Sequence, residues 1–196
     1  MCEETPSLDR ADQDRLLAWA RRVAQAYLEG NALPARALFS LEGVFGGAFV
    51  TFWLDKTLRG CVGRFARITD VVEAVGQITV ASLQDPRFAD RPITSAELDT
   101  LSIEISLLSA PVIARNPRQL KIGTHGIIVR SGQRSGCFLP KVAVERGWSP
   151  EEFLANCCTM KAGLPADAWQ RDTATVYMFT ASAFADEVDP QERGCS

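Results

Sequence analysis

Apolar residues recur along this chain with two periods, one helical and one extended. From Asp9 to Glu29, Leu16, Ala20, Val23 and Tyr27 return at spacings of three and four, which predicts a helix with Gly30 as its stop. Val44 to Leu54 reads as a buried strand, with Gly46-Gly47 allowing a bend or bulge. Asp55-Lys56 makes a hairpin turn into a second strand, Thr57 to Val62. Thr69 caps a helix to about Leu83, with Val72, Val75, Ile78 and Leu83 inward. Asp85-Pro86-Arg87-Phe88 ends it, because proline disfavours helical backbone at the residue before it. Leu101 to Ser109 alternates: Leu101, Ile103, Ile105 and Leu107 face one way, and Ser102, Glu104 and Ser106 the other.

Asn116-Pro117 opens a short turn or helix, and Gly126–Arg130 with Gly136–Leu139 forms a second hairpin around residues 131–135. Pro140 to Arg146 reads as a helical turn. Ser149-Pro150-Glu151-Glu152 starts a helix: serine caps, proline takes the first helical position and Glu152 completes a capping box, with Gly163 as the stop. Thr173 to Phe179 reads as the last strand. Hairpins with helices inserted between them predict an α+β fold, a mainly antiparallel sheet flanked by helices. One domain over residues 9–185 is expected, with a small lobe near 115–165 and flexible termini at 1–8 and 186–196.

The chain has 196 residues, 46% of them hydrophobic, enough for one full core. Its net charge of −3 argues against broad nucleic-acid binding. The charge is unevenly spread, however. No acid lies between Glu104 and Glu145, a span carrying Arg115, Arg118, Lys121, Arg130, Arg134 and Lys141. Lys56, Arg59, Arg64 and Arg67 form a second basic group. If the two groups meet they make a positive cleft; if not, they are scattered solvated cations. No apolar run reaches membrane-spanning length, and Met1-Cys2-Glu3-Glu4 lacks the features of a signal peptide, so a cytoplasmic location is expected. The six cysteines form no C-x-x-C pair and are expected as reduced thiols. His125 is the sole histidine, a ligand supply that argues against zinc.

The densest candidate chemistry is Leu58-Arg59-Gly60-Cys61-Val62-Gly63. Glycine lets a ligand approach the backbone, and a nearby cation favours a thiolate. On a regular strand Arg59 and Cys61 point to one face. The competing reading makes Cys61 a small buried hydrophobe between glycines that permit tight packing. Glu104 is a general-base candidate if its face is covered, and a surface carboxylate if it is not. His125, at a loop edge, is either an acid–base group or structural. Cys157 and Cys158, adjacent on a helix, diverge by about 100°, so one is expected in the core. The phosphate-binding signatures G-x-x-x-x-G-K-[ST] and G-x-G-x-x-G are absent, as is a G-x-S-x-G nucleophile elbow.

From about Leu16 to Phe184 the chain resembles the AMMECR domain family. The likeness rests on Leu58–Gly63, where the family usually has isoleucine in place of Val62. It also rests on Asp85-Pro86-Arg87-Phe88, Ile103-Glu104-Ile105-Ser106, His125-Gly126-Ile127, Phe138-Leu139-Pro140 with Gly147-Trp148, and Lys161-Ala162-Gly163-Leu164-Pro165 with Trp169. One position departs: members commonly carry a cysteine two residues before Lys-Ala-Gly, where this chain has Thr159 beside Cys158. The resemblance implies two unequal lobes with a cleft between them and a candidate site at Arg59–Gly63. It also implies association with a Memo-like protein and a radical-SAM protein. It supplies neither an activity nor a cofactor.

Two readings of function follow. In the first the chain is an enzyme with Cys61, Glu104 and His125 as catalytic groups. Arg59, Gly60, Gly63 and Arg64 would hold a small anionic or nucleotide-like substrate, or an RNA under modification. In the second it is a non-catalytic binding or adaptor module working with the Memo-like and radical-SAM partners. A DNA-binding regulator is the poorer reading, because no recognition helix is visible.

Overall fold

The computed structural model describes residues 5–35 and 39–186. The chain forms two compact units: residues 6–107 together with 182–186 make the first, and Leu108–Ala181 together with Thr5 make the second.

In the first unit, helix α1 (Arg10–Leu28) starts at Asp9, whose carboxylate accepts from the Asp12 N–H, and buries Leu16, Leu17, Trp19, Ala20, Val23 and Ala24. Tyr27, at the edge of that stripe, is half-buried, and its hydroxyl accepts from Gln84 Nε2 at 2.7 Å. Strands β1 (Gly47–Leu54) and β2 (Thr57–Arg64) pair antiparallel across the expected Asp55-Lys56 turn, where Asp55 takes a φ of 53°. Helix α2 (Val71–Leu83) begins one residue later than the sequence suggests. Asp70, not Thr69, is its cap, with the carboxylate accepting from the Glu73 N–H at 3.0 Å. Strand β3 (Ser102–Leu108) lies beside β1.

Ile103, Ile105 and Leu107 of β3 are fully buried in one cluster with Ala48, Val50 and Phe52 of β1 and Val72, Val75 and Ile78 of α2. These side chains define the core face of the sheet. Thr51, Cys61 and Glu104 sit at the alternate positions, on the opposite face. A 3₁₀ helix at Ser95–Thr100, opened by a Thr94–Glu97 capping box, leaves no signal in the apolar pattern.

In the second unit, β5 (His125–Ser131) pairs with β6 (Arg134–Phe138) and with β7 (Thr175–Ala185), both antiparallel. The β5–β6 turn is two residues, Gly132-Gln133, shorter than the expected loop, because Ser131 and Arg134 already pair and Gly132 accepts a φ of 58°. Strand β7 runs well past Phe179, and its last residues belong to the first unit. Strand β4 (Val112–Ile113) pairs with β7 and is too short to leave a period in the sequence. Helix α3 (Pro140–Arg146) stops at the left-handed Gly147. Helix α4 (Pro150–Asn156) has the expected Ser149–Glu152 capping box and continues as a π-helical segment, Cys157–Ala162, to the left-handed Gly163.

Both vicinal cysteines are fully buried, where one was expected. They have different neighbours: Cys157 meets the Val129 backbone and Cys158 the Trp169 backbone, so the segment is covered on two sides.

Leu8, placed by the sequence in a loose lead-in, is buried in the core, and Thr5 donates its N–H to Thr180 Oγ1 at 2.9 Å. Asp186 is also held, accepting from the Ile103 N–H at 2.6 Å and from Arg21. Residues 1–4 and the acidic tail from 187, with Cys2 and Cys195, lie outside the described residues. Among the described residues no helix is long and apolar enough to cross a membrane.

Candidate functional site

Strand β2 is irregular where its chemistry lies. Phe52 pairs with Gly60 but Trp53 with Leu58, so Arg59 is the extra residue of a bulge. The bulge breaks the alternation that would have set Arg59 beside Cys61. Arg59 is instead buried at 5% exposure. Its guanidinium donates to Glu97 Oε1 and, at 3.3 Å, to the Arg91 carbonyl. Arg59, followed by its Thr94 partners, holds the Glu97 carboxyl below the usual range. Arg59 is therefore an internal tie from β2 to the segment 91–97, not the cation of the cysteine.

The two glycines also have partners within the fold. A Cβ on Gly60 would sit 2.4 Å from the Ser82 carbonyl oxygen, at the end of α2. A Cβ on Gly63 would sit 2.2 Å from the Phe49 ring. The space expected for a ligand beside them is filled by the protein's own atoms. Ser82 draws α2 down onto the hairpin: its hydroxyl lies 2.9 Å from both the Val50 and Ile78 carbonyls and accepts from the Val62 N–H at 3.1 Å.

The cation of the cysteine comes from the segment that ends α2. Pro86–Phe88 forms one 3₁₀ turn capped by Asp85. Asp85 is buried, and its carboxylate accepts from the Cys61 N–H at 3.0 Å and from Arg87 Nη2 at 2.6 Å. Arg87 Nη2 in turn donates to the Cys61 carbonyl at 2.8 Å. The ion pair thus grips both sides of the cysteine's backbone. Arg87 holds the Asp85 carboxyl down at about 2 against the opposing effect of burial. The Arg87 guanidinium is held protonated more firmly than usual, chiefly by Asp85, with the Cys61 sulfur contributing.

The Cys61 side chain is half-buried, and Thr51 Oγ1 donates to its sulfur at 3.2 Å. Burial pushes the Cys137 thiol far up and the Cys157 thiol to about 12, and it raises Cys158 as well.

Glu104, half-buried, shares the Cys61 face of the sheet, with β1 between their strands. Arg64 is exposed, its Nη1 donating to Gln77 Oε1 at 3.2 Å. His125 belongs to the second unit, as the first residue of β5, paired with Thr180. Its Nδ1 accepts from the Lys121 N–H at 3.0 Å, so the neutral ring carries its proton on Nε2. Burial first, and the Lys121 charge second, hold its pKa below the usual 6.5.

Reasoning from the sequence missed Asp85, Arg87, Thr51 and Ser82. The first two stand in view within Asp85-Pro86-Arg87-Phe88, which the sequence marks as a helix stop and as a motif of the family resemblance but not as part of the site.

The AMMECR1 family model matches residues 17–184. Protein MJ0810 of Methanocaldococcus jannaschii is 36% identical over 182 residues, 88% of this chain and 89% of that protein. Protein MK0488 of Methanopyrus kandleri is 38% identical over 184 residues, 88% of this chain and 87% of the relative. Among solved structures, the crystal structure of the uncharacterized protein PH0010 from Pyrococcus horikoshii aligns with a TM-score of 0.79 at 37% identity, covering 88% of this chain and 90% of that one.

Proposed function

The chain belongs to the AMMECR1 family, and within it we propose that this protein is an enzyme whose reactive group is the Cys61 thiol, acting on a small anionic substrate. The observation that carries the reading is the company of the sulfur: a Thr51 hydroxyl on it and the Arg87 guanidinium beside it, with that guanidinium locked by Asp85 onto the cysteine's own backbone. Arg87 is more than half exposed along its side chain, so it can stabilise the sulfur and still meet a substrate's negative charge. Glu104, on the same sheet face, is the base we assign. A nucleotide-like substrate or an RNA remains within this class of anions. Memo-like and radical-SAM proteins are the partners we propose on the strength of the resemblance.

A second reading, a binding or adaptor module, is favoured by the glycines. Ser82 and Phe49 fill the space beside Gly60 and Gly63, as a packing role requires.

Thiol reactivity separates the two. Iodoacetamide at neutral pH, with labelling mapped by mass spectrometry, should modify Cys61 well ahead of Cys137, Cys157 and Cys158, and about tenfold faster than cysteines of the denatured chain. Arg87→Gln should slow that labelling while circular dichroism stays unchanged. A Cys61 that reacts no faster in the folded than in the denatured chain would leave the binding module standing.

A further inference from the structure

The second unit holds a cleft of about 530 Å³, and its lining has a consistent chemistry. Arg115, Lys121 and His125 supply positive charge and a ring N–H, while Val112, Ile113 and Met178 supply an apolar wall. The remaining lining side chains are amides, and no carboxylate is among them. All of these residues lie within Leu108–Ala181.

Each feature has a cause in the fold. The short pairing of β4 with β7 sets Val112 opposite Met178 and leaves Ile113 63% exposed, an unusual place for a large aliphatic side chain. The Lys121 backbone N–H occupies His125 Nδ1, which fixes the ring's tautomer and leaves Nε2–H as its remaining donor. Other arginines of the chain are neutralised in place: Arg118 faces Glu151, Arg171 faces Asp167 and Arg87 faces Asp85. Among the described residues, Arg115 and Lys121 have no such carboxylate. The acid-free stretch seen in the sequence thus yields a local positive cleft within one unit. Its volume suits a small organic molecule.

We propose that this cleft is a binding site for a small organic anion with an apolar body, such as a phosphate monoester. Arg115 and Lys121 meet the anionic head, His125 Nε2–H donates to it, and Val112, Ile113 and Met178 receive the body. The proposal uses none of the Cys61 machinery, so the two readings stand or fall separately.

His125 is the only histidine in the chain, which makes its imidazole an unambiguous reporter. The full chain, prepared without a histidine tag, is titrated with phenyl phosphate while the imidazole resonances are followed by NMR. Saturable shifts are expected, together with a rise in the pH midpoint of His125, because a bound dianion favours the imidazolium. Inorganic phosphate at equal ionic strength should bind several-fold more weakly, and phenol should leave the ring unmoved. Arg115→Gln, an exposed substitution that preserves the fold, should weaken phenyl phosphate about tenfold. The proposal is overturned if phenyl phosphate gives no saturable shift, if it matches inorganic phosphate, or if Arg115→Gln leaves the titration unchanged.

Discussion

Asp85→Asn keeps the shape of the clamp on Cys61 and removes its charge. The native carboxylate is buried and accepts four hydrogen bonds, from the Cys61 N–H at 3.0 Å and from the Arg87 N–H, Nε and Nη2 at 3.1, 3.0 and 2.6 Å. A carboxyl held at about 2 instead of its ordinary 3.8 corresponds to about 2 kcal/mol of preference for the charged, folded form. The main cause is Arg87, whose side chain is 55% exposed, so water screens part of the interaction. The expected loss on substitution is therefore about 1–2 kcal/mol at pH 7. The pH dependence has a definite sign. The folded-state pKa is depressed, so the contribution is complete above about pH 4 and disappears as the pH falls through about 2. Urea denaturation of wild type and variant at pH 7, 4 and 2.5 reads the difference directly. The two stabilities should converge on acidification. A gap under about 0.5 kcal/mol at pH 7, or one that persists undiminished at pH 2.5, refutes the reasoning. The charge that fixes Arg87 against Cys61 is lost in the same variant, so iodoacetamide labelling of Cys61 should slow as well.

Gly60→Ala should cost roughly 1–3 kcal/mol in urea denaturation, because the added methyl meets the Ser82 carbonyl, a backbone atom that cannot swing away; an unchanged midpoint would contradict that packing role. Glu97→Ala leaves the buried Arg59 guanidinium with the Arg91 carbonyl as its partner among the described residues, and a loss of about 3 kcal/mol is expected, with Cys61 labelling unaltered. Slower labelling in that variant would restore Arg59 as the partner of the sulfur. Lys121→Gln should raise the NMR titration midpoint of His125 yet leave it below 6.5, since burial is the larger cause of its depression. A midpoint that stays put would remove Lys121 from the causes, and one that passes 6.5 would reverse their order.

The elements that bury a regular stripe were legible. The Leu16–Ala20–Val23 stripe gave α1, the alternation of Leu101–Leu107 gave β3, and the Ser149–Glu152 box marked the start of α4. Features set by tertiary contacts were not. Strand β4 is two residues long and exists because β7 lies beside it. Strand β7 continues past Phe179 for the same reason, finding partners that no local pattern announces. Leu8 looked like a lead-in because one apolar residue among polar ones has no period, although the core receives it.

The candidate site shows the same division at the level of single charges. Strand parity paired Cys61 with Arg59, two residues away, and that inference needs a regular strand. One inserted residue in β2 was enough to send the guanidinium to Glu97. The cation that does reach the cysteine, at its carbonyl, lies 26 positions further along, where a proline ends α2 and a buried aspartate turns the chain back onto β2. Gly60 is the condition for that return, since only a residue without a Cβ lets the end of α2 come so close. Leu58–Gly63 and Asp85–Phe88 are therefore one structural unit written in two places. The glycine that admits the helix end and the arginine that the helix end delivers require each other. A sequence reader can recover such a unit only by asking, of every glycine in a strand, which backbone it is there to admit.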